Sequence, residues 1–144
     1  MPQQSDFKFV KTIADKLKNK ILIHITDLPL CSVIMEITND FPWIFLVPRI
    51  NDIAQINQLS EEDQSTLYRE VDFCSNIMEK LFETDRLNVG AIGNLTPQLH
   101  FHIICRHKND PLWPDVCWNK DMTLMNSIQI EERKSLIANS LNKG

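Results

Sequence analysis

His100 and His102, two residues apart in Gln98-Leu99-His100-Phe101-His102-Ile103-Ile104, are the side chains best placed to do chemistry in this chain. An unprotonated imidazole is a nucleophile at neutral pH, and a second one beside it can donate a hydrogen bond to the same substrate. In an extended strand side chains alternate, so Gln98, His100 and His102 take one face while Leu99, Phe101 and Ile103 take the other. Neighbours in the polar row are then about 7 Å apart at a rise of ~3.3 Å per residue. Just upstream, Asn88-Val89-Gly90-Ala91-Ile92-Gly93-Asn94 holds two of the three glycines in the chain. Gly90 and Gly93 permit close backbone approach, and Asn94 can donate to an anion before the chain turns at Pro97. An ordinary turn or bulge would use the same glycines, and any half-exposed strand can carry a histidine pair.

Other polar side chains offer less. A zinc site from His100, His102, Cys105 and His107 is opposed by parity, because a continuous strand puts the two pairs on opposite faces. His24 reads as a surface or edge residue. Arg106 and Lys108 could supply local positive charge for a phosphate, or simply end a solvated strand. Trp113 and Trp118 could line a pocket or pack at a dimer seam. Cys31, Cys74, Cys105 and Cys117 lack paired spacing and read as reduced, buried thiols.

These groups must be positioned by one sizeable core. The chain has 144 residues, 43% of them apolar and 24% charged, which fits one globular domain over residues 1–144. With 15 basic and 19 acidic side chains its net charge is −4, which argues against broad nucleic-acid binding. Its longest apolar runs fall far short of the ~20 residues of a membrane span. The first residues lack the basic and then apolar pattern of an export signal, so a cytoplasmic location is expected.

Phe7, Val10, Ile13 and Leu17 recur at helical spacing, predicting a helix over about residues 5–19. Three β-rich stretches follow, Ile21–Ile25, Ser32–Ile37 and Trp43–Val47, separated by turn residues as in an antiparallel meander. Ser60 and the acids after it announce a long helix to about residue 83, with Leu67, Val71, Cys74, Met78, Leu81 and Phe82 as its apolar stripe. Two more strands are predicted around Leu87–Ile92 and Gln98–Cys105, and a last helix near residues 127–141.

On these residues the chain, over about residues 20–110, resembles the histidine triad (HIT) superfamily, and particularly its bacterial, diadenosine tetraphosphate hydrolase-like members. Gln98 to Ile104 is similar to the family's motif of histidines alternating with apolar residues. Asn88, Gly93 and Asn94 fall where the family surrounds a bound phosphate, and Asn39 to Pro48 resembles its strand that enters after a proline and ends in Val-Pro. The resemblance implies an α+β, HIT-like fold: a five-stranded antiparallel sheet with helices packed on it, paired as a homodimer. It also implies attack of His100 on the α-phosphate of a nucleotide or dinucleoside polyphosphate, through a nucleotidyl-histidine that water then hydrolyses. His102 would contact phosphate oxygens, and Asn88, Gly93, Asn94, Gln98 and Trp43 would bind substrate, with no metal or cofactor required. Two positions depart from the pattern: Gln98 stands where the first histidine is usual, and Trp43 stands where many relatives place one. Gln98 can hydrogen-bond but cannot exchange a proton near neutral pH, and Trp43 offers apolar contact or base stacking. A nucleotide-binding or regulatory module without turnover is the second reading.

Overall fold

The computed structural model describes residues 6–118 and 121–143; most of the segment read for an export signal, residues 1–5, lies outside these. Helix α1 (Lys11–Lys18) is followed by strands β1 (Leu22–Asp27), β2 (Cys31–Glu36) and β3 (Trp43–Pro48). Helix α2 (Glu61–Phe82), β4 (Arg86–Gly90), β5 (Phe101–Arg106) and α3 (Ser127–Lys143) complete the order. The strands form one antiparallel sheet in the order β1-β2-β3-β5-β4. The meander and the α+β architecture are therefore those expected.

Strand β3 runs up the middle of the sheet and is buried at every position, as its unbroken apolar sequence requires. One face of the sheet carries Val33, Met35, Ile44, Leu46, Phe101, Ile103 and Cys105, packed under α2 and α3. The other carries Ile34, Phe45 and Val47, which meet Ile13 of α1 and the Phe7–Val10 segment. Ser60 caps α2, its hydroxyl accepting from Asp63 N at 3.1 Å, with Glu61, Glu62 and Asp63 in the first turn. Leu67, Val71, Cys74 and Met78 are its buried stripe. No helix among the described residues is long and apolar enough to cross a membrane.

Strand β4 ends at Gly90 rather than near Ile92, and two elements start later than in the sequence reading. Helix α1 starts at Lys11 rather than near residue 5, and β5 starts at Phe101 rather than at Gln98. The Gln98 side-chain amide accepts from Val10 N at 3.0 Å and donates to Lys8 O at 3.2 Å. That captures in extended form a segment whose apolar spacing reads as helix. Leu99 N donates to Ile53 O at 2.8 Å, so Leu99 bonds to the loop after β3 instead of continuing the ladder.

Candidate active site

The two histidines meet on the α1 side of the sheet, where β5 begins. Their ring centroids are 4.8 Å apart at an interplanar angle of 79°, closer than the backbone repeat because both rings lean together over Phe45, 5.4 and 5.5 Å away. His100 Nδ1 lies 2.7 Å from the backbone carbonyl of Gln98. A carbonyl oxygen only accepts, so Nδ1 carries the proton and Nε2 presents its lone pair. Burial, with the Lys16 charge acting the same way, pushes the His100 pKa below its ordinary 6.5 although the carbonyl bond pulls it up. The free base therefore predominates at neutral pH.

His100 is half-buried and lines a cleft of about 930 Å³ with Gln55, Asn57, Tyr68, Gly93 and Asn94. The Gly93 backbone lies close to the His100 ring: a Cβ there would lie 3.1 Å from Thr96 O and 3.6 Å from His100 Cε1. A Gly93→Ala protein should therefore fold, shift the 91–97 loop by a few tenths of an ångström, and lose about tenfold in turnover through misplacement of His100. Steady-state kinetics beside a thermal melt checks this; unchanged turnover would show that the loop does not set the ring's position. Gly90, paired with His102 across the sheet, has open space around its Cβ position, so close approach there is not what its glycine provides.

His102 is 6% exposed and buried among aromatic rings. Its Nδ1 accepts from Trp43 Nε1 at 2.9 Å. Burial and the neighbouring His100 push its pKa down to about 3. The unfolded chain binds a proton at about 6.5 and the folded chain does not until about 3, so stability is lost as pH falls through this window. Going from pH 6.5, where the unfolded imidazole is already half protonated, to pH 4.5 should cost about 2 kcal/mol at a limiting slope of about 1.4 kcal/mol per unit, and His102→Asn should flatten that slope. Denaturant unfolding at both pH values measures it; a flat wild-type profile would contradict the buried neutral imidazole.

The model of the HIT domain family matches residues 9–109. The chain belongs to the HIT family. Among solved structures, a histidine triad protein from Marinobacter aquaeolei VT8 superposes with a TM-score of 0.86 at 32% identity, covering 95% of this chain and 97% of the other. One from Bradyrhizobium japonicum gives 0.85 at 30% identity, covering 94% and 98%. A Plasmodium falciparum diadenosine triphosphate hydrolase shares the fold at a TM-score of 0.64 and 21% identity, covering 83% and 76%. No curated protein sequence matches the chain.

Several HIT-motif residues sit differently from the sequence reading. Gln98 is 3% exposed, and both ends of its amide are used on the Lys8–Val10 backbone, so its side chain pins the wall of the site instead of meeting substrate. Trp43 is 5% exposed and committed to His102, which removes it as a stacking surface. Arg106 is no phosphate cation: it is 1% exposed, its guanidinium gripping both Asp110 carboxylate oxygens at 2.7 and 3.0 Å. A third bond runs from Arg106 Nη1 to Asn88 Oδ1 at 2.9 Å, which orients the Asn88 amide and leaves Nδ2 as its donor. Asn94 is exposed in the cleft wall.

Cys105 lies in the core on the α2 side, with Sγ 3.9 Å from Met78 O, and His107 Nε2 lies 2.7 Å from Phe82 O at the end of α2. Cys105 and His107 thus lie on the α2 side of the sheet, away from His100 and His102 beside Phe45. Burial pushes the Cys74 and Cys105 thiols up to about 12. His24 is exposed on the edge strand and bonds Asp27 at 2.8 Å. Trp118, left open between pocket and dimer seam, packs edge-on to His102 at 4.8 Å. Tyr68, Gln55 and Asn57 carry no motif, and only the fold brings them to the cleft.

Proposed function

We propose that this HIT protein hydrolyses a nucleotide-containing phosphoanhydride, a dinucleoside polyphosphate being the type, by nucleotidyl transfer through His100. The observation that carries the reading is the His100 tautomer: Nδ1–H is spent on the Gln98 carbonyl, and the Nε2 lone pair sits on a ring lining the cleft. Nε2 forms a bond to the α-phosphorus while the bond to the leaving oxygen breaks, and that oxygen keeps the electron pair. Water then attacks the same phosphorus as the phosphorus–Nε2 bond breaks, giving up a proton to solvent, which releases a nucleoside monophosphate and regenerates the neutral imidazole. His102 and Asn88 Nδ2 supply hydrogen bonds to the phosphate oxygens, which carry more charge in the transition state than in the substrate.

The proton inventory favours an anhydride. Gln98 and Trp43 cannot release a proton near neutral pH, and His102 is already neutral. A departing phosphate oxyanion needs no proton, whereas an alkoxide does. We also read the protein as cytoplasmic and as a homodimer; exposed Val89, Ile92 and Leu95, on and just after the edge strand β4, support the pairing.

Incubation with diadenosine tetraphosphate, adenosine 5′-phosphoramidate and an adenosine 5′-alkyl phosphate, with chromatography of products, tests the reading. Release of AMP fastest from the anhydride is expected. The loss of two proton-handling histidines favours one other outcome, protection against unfolding without product, which would replace the enzyme by a nucleotide-binding module.

A further inference from the structure

Trp43 does for His102 what no histidine at that position could do. An indole nitrogen only donates, so with Trp43 Nε1 at 2.9 Å the His102 Nδ1 must present its lone pair and Nε2 must hold the proton. A histidine at position 43 could donate or accept, and the pair could then exchange protons; tryptophan removes that freedom. Both side chains are buried, so water does not compete for the bond. The His102 ring is also boxed edge-to-face, with Trp118 and His100 at 4.8 Å and Trp43 and Phe45 at 5.5 Å between centroids. A ring flip would disturb all four neighbours and leave a buried indole N–H without its acceptor. No hydrogen bond among the described residues engages His102 Nε2.

We propose that Trp43 is a positioning residue whose indole N–H locks His102 as the Nε2–H tautomer, making His102 a permanent hydrogen-bond donor beside the His100 nucleophile. What the donor serves rests on the nucleotidyl-transfer reading above. The lock itself belongs to the free protein. Phosphate oxygens carry only lone pairs, so a ring that can turn its own lone pair toward them would repel them part of the time; the locked ring cannot. Burial, which disfavours the imidazolium, works in the same direction. The replacement at position 43 therefore gives up proton exchange and keeps a donor of fixed sense.

The test is a long-range ¹H–¹⁵N correlation spectrum of the histidine rings in the ¹⁵N-labelled full chain, with no substrate, at pH 7 and pH 5. His102→Asn assigns the signals. One pyridine-type Nδ1 and one pyrrole-type Nε2 are expected for His102 at both pH values. Trp43→Phe keeps an aromatic ring and removes the donor; the two His102 nitrogens should then move toward averaged shifts, and hydrolysis of diadenosine tetraphosphate should fall in kcat by about tenfold with KM little changed. Trp43→His, which restores a donor, should recover part of both. A pyrrole-type Nδ1 in the wild-type protein overturns the lock without any variant having to fold. Unchanged His102 shifts in folded Trp43→Phe overturn it as well. A locked tautomer in a wild-type protein that releases no AMP from any of the three probes would remove the transfer reading and leave the lock standing.

Discussion

Replacing His100 with glutamine should abolish turnover while leaving nucleotide binding nearly intact. Glutamine keeps a neutral polar side chain of similar reach in place of the ring whose Nδ1 bonds the Gln98 carbonyl at 2.7 Å, so the protein should fold around it. What it lacks is the Nε2 lone pair, and with it the covalent route. Deleting the nucleophile of a two-step enzyme typically costs four or more orders of magnitude, and here kcat should fall by about 10⁴-fold. Asn88, Asn94 and His102, the proposed phosphate-binding groups, are untouched, so the dissociation constant for a nucleoside monophosphate should change by only a few-fold. His102→Asn is the natural comparison. It removes a donor and not the attacking atom, and should cost about 10²- to 10³-fold. A His100→Gln protein that kept a tenth of its activity would move the nucleophile elsewhere.

Asp110→Ala should be the most destabilising single substitution near the site. The Arg106 and Asp110 side chains are 2% and 3% exposed, and Asp110 also accepts from His107 N at 3.2 Å and Leu112 N at 3.0 Å. Its carboxyl pKa is held below the usual carboxylate range by these bonds, although burial alone pushes it up. Removing it leaves a guanidinium enclosed between Phe41 and Trp113, whose ring centroids lie 5.0 and 5.9 Å away. Breaking a buried pair from one side costs about 3–5 kcal/mol, or roughly 10 °C in Tm for a chain of this size. The Asn88 amide loses its fixed partner at the same time, so substrate affinity should fall with stability. Removing both charges, as Arg106→Met with Asp110→Leu, should cost less than Asp110→Ala alone. Urea unfolding of the three variants gives the comparison; a loss under 1 kcal/mol for Asp110→Ala would show that the pair is not held as tightly as its geometry implies.

The sheet and α2 were legible because their signals are local. The strand runs of β1 to β3 and the Ser60 cap with its acids each specify their element without help from distant residues. His100 and His102 were legible as a pair for the same reason, since strand alternation alone puts both on one face. What the sequence hides is which polar atoms pair across the fold. Gln98 reads as a site residue, yet its amide reaches back some ninety positions to Lys8 and Val10. Glu70 lies on α2 among charged neighbours, yet its carboxylate is buried and accepts Leu30 N and Cys31 N, both at 2.9 Å, tying the β1–β2 turn to the helix. Arg106 looks like a free cation at a strand end until Asp110 is seen to turn back onto it. Each of these partners was fixed by tertiary contact, on which periodicity and spacing say nothing.

In the proposed reaction His100 becomes covalently bonded to phosphorus. Mass spectrometry of protein acid-sensitive linkages under alkaline quench, taken within the first turnovers of diadenosine tetraphosphate, tests it most directly. The expected result is one added adenosine monophosphate on the peptide containing His100, absent in His100→Gln. AMP released at full rate with the adduct on another residue, or still formed in His100→Gln, would contradict the account.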